Sequence, residues 1–593
     1  MSRLGDWLDD RLGTRRAVKD LVEHPLAGGP SWAIALGTTV GFLLVLEVAT
    51  GAALMTTYAA SETSAWASVH YTQFLAPHGW LVRGVHHFAG EGMLVLSAAH
   101  MAMLAVTGGG RRPREFGFWS SIKIFAVAVA LCITGAALPW DQKGYWARKV
   151  ELGIAAALPG GGAVTRLAIG DGSLGPAALS RFLVFHAVLL PLVVWLLLRL
   201  RRRSDQLYAK AVAARHSVVE TSFPRQLARN VALGALVLIV ILGLTYRMHG
   251  APLDAPADPR SDYPARPEWY LLWLFELRHH LHGNLELPGT ALTPLVMLVL
   301  FALVPWLSKR GSGVSVVGFV VTIAAIAFVG SLSYLAWKRD AGDAKFQVAR
   351  RKAQVRASVA TELARDGVPP DGPLAMLARD PELRGEALFT KNCATCHVLG
   401  ELGDARDPKK LKAPTLDGWG GEPWNLAMLH APDAPERFGN TPYESEMPSA
   451  DVPPQEDAET FKPLTKDEMD AVAAFLASQA DEPGEVIDPK AVRNVKSDVG
   501  EKIVVDRCTT CHLFDGKGDD GGKGLAPELH GYGSFAWTRA QITNPATPTT
   551  YREGALDPLR KGHMPAFADE LPAADIDLLA RWTRAHARGR SLR

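Results

Sequence analysis

The sequence has no basic tract interleaved with aromatics, and its net charge over 593 residues is +2, so neither pattern nor charge points to nucleic acid. It has little cysteine: five residues, four of them in two short stretches. Beyond about Lys338 it lacks any apolar run long enough to cross a bilayer, for which a helix needs roughly 20 residues. It also lacks an apolar leader. Met1 to His24 is charged and amphipathic, which suits a helix lying on a membrane surface rather than a signal peptide.

What is present divides sharply in two. A composition 48% hydrophobic is too apolar for an ordinary soluble enzyme, and the apolar residues concentrate before Lys338. Seven segments have spanning length: Ser31 to Tyr58, Gly79 to Val106, Trp119 to Leu138, Leu179 to Leu200, Val231 to Tyr246, Thr290 to Leu307 and Val314 to Trp337. Positive charge collects after the second span (Arg111, Arg112, Arg114), the fourth (Arg201, Arg202, Arg203, Lys210, Arg215) and the sixth (Lys309, Arg310). The excess of positive charge on inner loops places these and the N-terminus in the cytoplasm, and an odd number of spans puts the C-terminus outside. The expected fold class is mainly α: a seven-span helical bundle followed by two small all-α domains.

The cysteines lie in Cys393-Ala394-Thr395-Cys396-His397 and Cys508-Thr509-Thr510-Cys511-His512. CxxCH is the attachment signature of c-type haem: two thiols bond the vinyl groups and the following histidine, here His397 or His512, binds the iron. A zinc site would use the four thiols but leave both histidines unexplained, and no βαβ pattern supports a thioredoxin-like pair. Met447-Pro448 follows His397 by fifty residues and Met564-Pro565 follows His512 by fifty-two, so Met447 and Met564 are the expected distal ligands. Met428, His430, His530 and His563 are rivals for that role. The helical segments Leu464 to Gln479 and Ala573 to Ala587 are expected to close each domain against its own first helix. Covalent haem attachment on the outer side of a bacterial membrane agrees with the charge-derived topology.

Three of the histidines inside spans align. His86 and His100 are fourteen residues apart, within roughly 40° on one helix face. His186 sits near the outer end of span four, level with His86, so the two suit a bis-histidine haem b. Intramembrane ionisable groups are costly and mark function by default. Glu47 and Glu91 are either part of a proton path or a protonated or paired acid.

The first 340 residues resemble cytochrome b of the quinol:cytochrome c oxidoreductases, most nearly the chloroplast type with its three-span partner fused. The resemblance rests on His78-Gly79-Trp80-Leu81-Val82-Arg83-Gly84-Val85-His86, on Leu138-Pro139-Trp140-Asp141-Gln142 with Gly144-Tyr145-Trp146, on Arg181-Phe182 ahead of His186, and on Pro267-Glu268-Trp269-Tyr270. It implies a quinol-oxidation pocket on the outer side formed by both loops, with Glu268 accepting a proton and Pro267, Trp269, Tyr270 and Tyr145 lining it. It implies a second haem b held by His100 and a histidine fourteen or fifteen residues after His186. Those positions are Leu200 and Arg201, neither of which has a lone pair to offer, so loss or altered ligation is expected, with His216 or His24 as substitute donors. Chloroplast-type proteins carry a further haem on a cysteine of span one; Ala35 stands there, and that cofactor is not expected.

The domains are therefore 1–30 (surface helix), 31–225 (four-helix haem domain), 226–340 (three spans and the quinol motif), 341–380 (solvated linker), 381–485 and 486–593 (two cytochrome c domains). The expected function is the cytochrome b/c subunit of a quinol:cytochrome c oxidoreductase in a bacterial inner membrane, with haem b, two covalent haems c and quinol as substrate. An electron-relay subunit without quinone turnover is the alternative. Expected partners are a separate Rieske iron-sulfur protein, because only Cys132 is left over, then the quinone pool, a soluble cytochrome c or terminal oxidase, and a second copy of the chain.

Overall fold

The computed structural model describes residues 3–15, 26, 31–110, 114–157, 160–170, 174–213, 224–308, 314–403, 411–441, 443–453, 462–480, 495–518, 526–547, 550 and 564–592. It divides into two units, Met1–Met376 and Leu377–Arg593. Among the described residues there is no strand, only isolated bridges. Of the expected N-terminal surface helix, α1 (Arg3–Leu12) is described.

Three long apolar helices follow, α2 (Trp32–Met55), α3 (Gly79–Val106) and α4 (Glu115–Ala137). A short α5 (Gln142–Ala156) leads to α6 (Pro176–Ala209) and α7 (Arg225–Met248). A second short helix, α8 (Leu272–His280), precedes α9 (Gly283–Leu307) and α10 (Val316–Gly342). All seven long helices are of membrane-spanning length and composition. Small polar residues start several of them by satisfying N–H groups that have no partner within the helix. Ser31 Oγ accepts from Ile34 N (3.3 Å), Asp141 Oδ1 from Gly144 N (2.8 Å) and Ser315 Oγ from Gly318 N (3.1 Å).

α2, α3, α4, α6 and α7 meet in one apolar core that includes Leu43, Val85, Met93, Leu131, Val194 and Ile241. Outward-facing Val231, Ile239, Phe319 and Val320 stay exposed, as lipid-facing residues do. Arg83 is buried and donates to the Ala251 carbonyl (2.6 Å), the Pro252 carbonyl (2.7 Å) and the Gln73 amide oxygen. The loop between α4 and α5 is clamped to the same segment: Gln142 N donates to Ala255 O (2.8 Å) and Ala257 N to Trp140 O (3.0 Å). The two halves of the membrane unit are thus joined through backbone groups at the end where both motif loops lie.

The 341–380 segment, expected as a solvated helical linker, begins with a helix that is buried at one end. Helix α11 (Ala344–Leu363) buries Val359 and Ala360, and Thr361 O bonds the ring of the buried His70 (3.0 Å). Arg356 pairs with Asp258 (3.5 Å) and Arg266 with Asp340 (2.8 Å). Alternating charges concealed one buried pair, Val359 and Ala360, near the end of an otherwise exposed or half-exposed helix.

The second unit contains α12 (Pro381–Asn392), α13 (Glu422–His430), α14 (Lys466–Gln479), α15 (Val495–Arg507), α16 (Phe535–Thr543) and α17 (Ala573–Ala587). Its pairing also departs from expectation. The first helix of the first repeat, α12, packs on the last helix of the second, α17, and α14 packs on α15. Each contact is set by a glycine: a Cβ on Gly385 would meet the Trp582 ring at 2.3 Å, and one on Gly500 would meet Ala471 O at 2.1 Å.

In the membrane unit a Cβ on Gly318 would stand 2.0 Å from Ala105 O, fixing α10 against α3. Gly318→Val should cost about 1–3 kcal/mol through overpacking and lower the unfolding temperature in detergent; an unchanged melt would show that α10 does not rely on this approach.

Candidate haem sites and the adjoining groove

His86 is placed about two turns into α3, and His186 lies in a wide turn of α6 where Leu190 N bonds back to Phe185 O. Pro191 follows, and because it has no N–H the regular ladder cannot run through this point. The two rings come together with centroids 6.0 Å apart. An imidazole nitrogen binds a metal at about 2 Å, so two rings that share one ion stand about 6 Å apart centre to centre. The separation therefore fits one bridging iron.

The ring nitrogens are sorted as well. His86 Nδ1 lies 2.8 Å from Glu47 Oε2 and 3.0 Å from Thr50 Oγ1. His186 Nδ1 lies 3.1 Å from Leu131 O and 3.2 Å from Thr134 Oγ1. A carbonyl only accepts, so His186 Nδ1 carries the proton and Nε2 keeps its lone pair; a carboxylate orders His86 in the same sense. Glu47 is thus a partner of the histidine, which accounts for one of the two intramembrane acids.

Glycines face both rings. A Cβ on Gly51 of α2 would come within 3.1 Å of His86 Cε1, and one on Gly135 of α4 within 2.7 Å of His186 Cε1. A flat group beside these rings needs such clearance. Gly37 bears the same relation to His100, at 3.1 Å. Gly37 and Gly51 are fourteen residues apart, as are His86 and His100, a matched spacing whose meaning shows only once the glycines face the rings.

At His100 the match ends. His100 is buried, and the Arg201 guanidinium covers it, with Nη1 3.0 Å from Nδ1 and Nη2 2.8 Å from Nε2. Arg201 also donates to Ser121 Oγ (3.1 Å) and pairs with Asp205 (3.6 Å). Ser121 lies fourteen residues before Gly135, where a second glycine would complete the pattern. A permanent cation with no acceptor occupies the ligand position, so this donor set does not fit a bis-histidine haem. The substitute donors His24 and His216 lie outside the described residues.

The quinol-site residues separate into two groups. Glu268 Oε2 accepts from Lys143 Nζ (2.7 Å), a residue of α5 missing from the sequence-based set. Trp269 Nε1 donates to Glu91 Oε1 (3.0 Å), and the Tyr270 hydroxyl is buried without a hydrogen-bond partner. Burial pushes the Tyr270 phenol above its ordinary pKa. Tyr145 instead packs with Trp140, Leu179 and Ala257, apart from the cluster that holds Tyr270. An apolar groove runs between α5 and the Pro267 turn, lined by Ala147, Val150, Ile154, Pro267, Leu271 and Phe275.

In the second unit, His397 Nδ1 donates to Pro414 O and His512 Nδ1 to Pro527 O, each at 2.8 Å, again leaving Nε2 for a metal. The outer thiols Cys396 and Cys511 are exposed, Cys393 and Cys508 half-buried. Met564 Sδ lies 3.5 Å from Gln541 Nε2, and Met447 packs among apolar residues. Of the rivals, Met428 is buried, His430 pairs with Asp451 (2.5 Å), the His530 ring lies tilted against Phe514, and His563 lies outside the described residues.

Residues 23–201 match the family model described as cytochrome b/b6/petB. Cytochrome b6 of Chlamydomonas reinhardtii is 32% identical over 194 residues, which cover 32% of this chain and 90% of that protein. The chain belongs to the cytochrome b family. Residues 383–480 match the cytochrome c model, and 496–582 the model of cytochrome C oxidase, cbb3-type, subunit III. A solved structure titled hyperthermophilic respiratory Complex III aligns with 60% of this chain and 97% of its own at 19% identity and a TM-score of 0.48. This cytochrome b is thus extended by cytochrome c domains, and it carries haem b and covalently attached haem c in a multi-pass membrane protein of electron transport.

Asp141, at the junction of the two halves, is buried near Asp254, and both effects push its pKa up to about 6. The folded state then holds a proton that the unfolded chain releases near 3.8, so stability falls as pH rises from about 4 to about 6. Thermal unfolding of Asp141→Asn across that window should be flatter than that of the parent protein; parallel profiles would remove Asp141 as the cause.

Proposed function

We propose that this chain is the cytochrome b/c subunit of a quinol:cytochrome c oxidoreductase that oxidises quinol at the outer face of a bacterial inner membrane. Electrons leave through its haems to an external acceptor. The observation that carries the reading is the meeting of the Pro267–Tyr270 turn with α5 around one apolar groove, with Glu268 and Lys143 joined beside it. Quinol is flat and apolar apart from its hydroxyls, and oxidation must remove protons as well as electrons. An apolar groove with a carboxylate at its side supplies both needs.

His86 and His186 would hold the outward haem b through Nε2, with Glu47 and Leu131 O fixing the rings. Bound haem supplies a one-electron change at iron, tuned by its axial donors. Glu268 would accept the proton of a quinol hydroxyl after exchanging Lys143 for the substrate, and the unpartnered Tyr270 hydroxyl would position the ring oxygen. Pro267 and Trp269 shape the turn; Tyr145 supports it from the neighbouring core. His397 and His512 would bind the c irons, with Cys393, Cys396, Cys508 and Cys511 as the covalent anchors. Because Cys132 sits in a span, bonded weakly to Gly90 O (3.6 Å), a Rieske iron-sulfur protein must be a separate partner. A homodimer, a membrane quinone and a soluble cytochrome c or terminal oxidase complete the assembly.

The Arg201 contact favours a variant of this reading. With His100 engaged by a guanidinium there is no inward haem b, and the usual return of one electron to a second quinone site has no carrier. Both electrons then leave on the outer side. A relay subunit without quinone turnover is the competing reading, and it shares the Arg201 observation but leaves the groove without use.

A pyridine haemochrome spectrum of the purified chain should give one haem b to two haems c; two to two would remove the role given to Arg201. Glu268→Gln should lower quinol-dependent reduction of the c haems by about 100-fold or more, as expected for loss of a general base. Unchanged turnover would eliminate Glu268 from the mechanism.

A further inference from the structure

The second unit holds two copies of one pattern. Ala413-Pro414-Thr415-Leu416-Asp417-Gly418-Trp419-Gly420 follows the first CxxCH, and Ala526-Pro527-Glu528-Leu529-His530-Gly531-Tyr532-Gly533 follows the second. Up to this point each copy stays with its own motif, as the His397–Pro414 and His512–Pro527 bonds show. Beyond it the copies part.

All four glycines of the two Gly-x-Gly turns have φ between +66° and +74°. That left-handed backbone is open to glycine without strain. A Cβ on Gly533 would lie 3.6 Å from the Cα of Gly420, and Trp419 Nε1 donates to Tyr532 OH at 3.2 Å. Residues that are equivalent in the two copies touch each other, which is the mark of a two-fold relation. The chain crosses here. After the crossing, α16, Met564 and α17 pack with Cys393 and Ala394, whereas Met447 and α14 pack with α15 and Cys508.

We propose that the two cytochrome c repeats exchange their C-terminal halves, so that the haem anchored at Cys393–His397 takes Met564 as its distal ligand and the haem anchored at Cys508–His512 takes Met447. Three further contacts tie α12 to the far end of the chain. Arg384 pairs with Asp575 (2.6 Å), Glu382 accepts from Leu592 N (2.8 Å), and His586 bonds the same carboxylate. Arg584 of α17 reaches back across the crossing, donating to Gly533 O (3.1 Å) and Ala480 O (2.8 Å). Neither repeat then holds a complete haem pocket alone. The pair is one dihaem unit, with Trp419 and Tyr532 at the boundary between its two pockets. The proposal rests on covalent haem at both motifs and is independent of quinol turnover.

The test uses the full chain with Cys508→Ser and Cys511→Ser, which leaves one c haem at Cys393 and Cys396. In that background Met564→Ala should abolish the ferric methionine-to-iron charge-transfer band and lower the midpoint potential, while Met447→Ala should leave both unchanged. The reverse result overturns the exchange. Should the one-haem background fail to fold, a protease site placed between Ala480 and Val495 in the intact dihaem protein gives a second readout. After cleavage the C-terminal piece should stay with the membrane piece through size-exclusion chromatography in detergent, with both charge-transfer bands kept. Its release in non-denaturing buffer with its own band intact would also overturn the proposal.

Discussion

The structure depends most on how each candidate haem histidine uses its second ring nitrogen. His186, His397 and His512 give Nδ1–H to a backbone carbonyl, and His86 gives it to Glu47. A bond at Nδ1 fixes the tautomer, holds the ring plane and leaves a lone pair on Nε2. In the membrane the carboxylate of Glu47 is tolerable because it is spent on His86. In the second unit the same service comes from the proline carbonyl of each Ala-Pro turn. His100 differs, since Arg201 addresses both of its nitrogens at once. One contrast between five histidines therefore separates four positions open to a metal from one that is closed.

Glycine carries the second constraint. Gly37, Gly51 and Gly135 leave clearance beside imidazoles inside the bundle, while Gly385 and Gly500 let helices cross in the second unit. Protein interiors are close-packed, so a missing Cβ is either filled by a neighbour or marks a group that must fit there. At Gly385 and Gly500 the neighbour is visible: the Trp582 ring and the Ala471 carbonyl. At Gly51 and Gly135 it is a ring that needs a flat partner.

Much of this was legible in the chain. CxxCH is a contiguous motif whose chemistry is local, and seven apolar runs are read directly because a bilayer demands internally bonded helices. The Leu200 and Arg201 mismatch was also visible by counting from His186. What escaped was everything that depends on a second element. Lys143 is one basic residue among many until α5 brings it to Glu268. Glu47 reads as an anomaly until His86 faces it. Tyr145 sits in the same loop motif as Trp140 yet packs away from Tyr270, because helix rotation decides which core a side chain enters. The segment after Asp340 looked solvated since its charges alternate, and only the surface it meets revealed Val359 and Ala360 as buried.

The sequence by itself determined the cofactor class, the membrane crossing and the family, since each rests on residue identity at fixed spacing along one stretch of chain. It also determined that there are two cytochrome c repeats in tandem. Only the tertiary structure decided which half of one repeat packs on which half of the other. The apolar stripe of each helix is a local pattern that names no partner, so it cannot choose between the two pairings. The choice is made where Gly420 and Gly533 approach and the chain crosses, a contact between residues 113 positions apart that no local pattern contains.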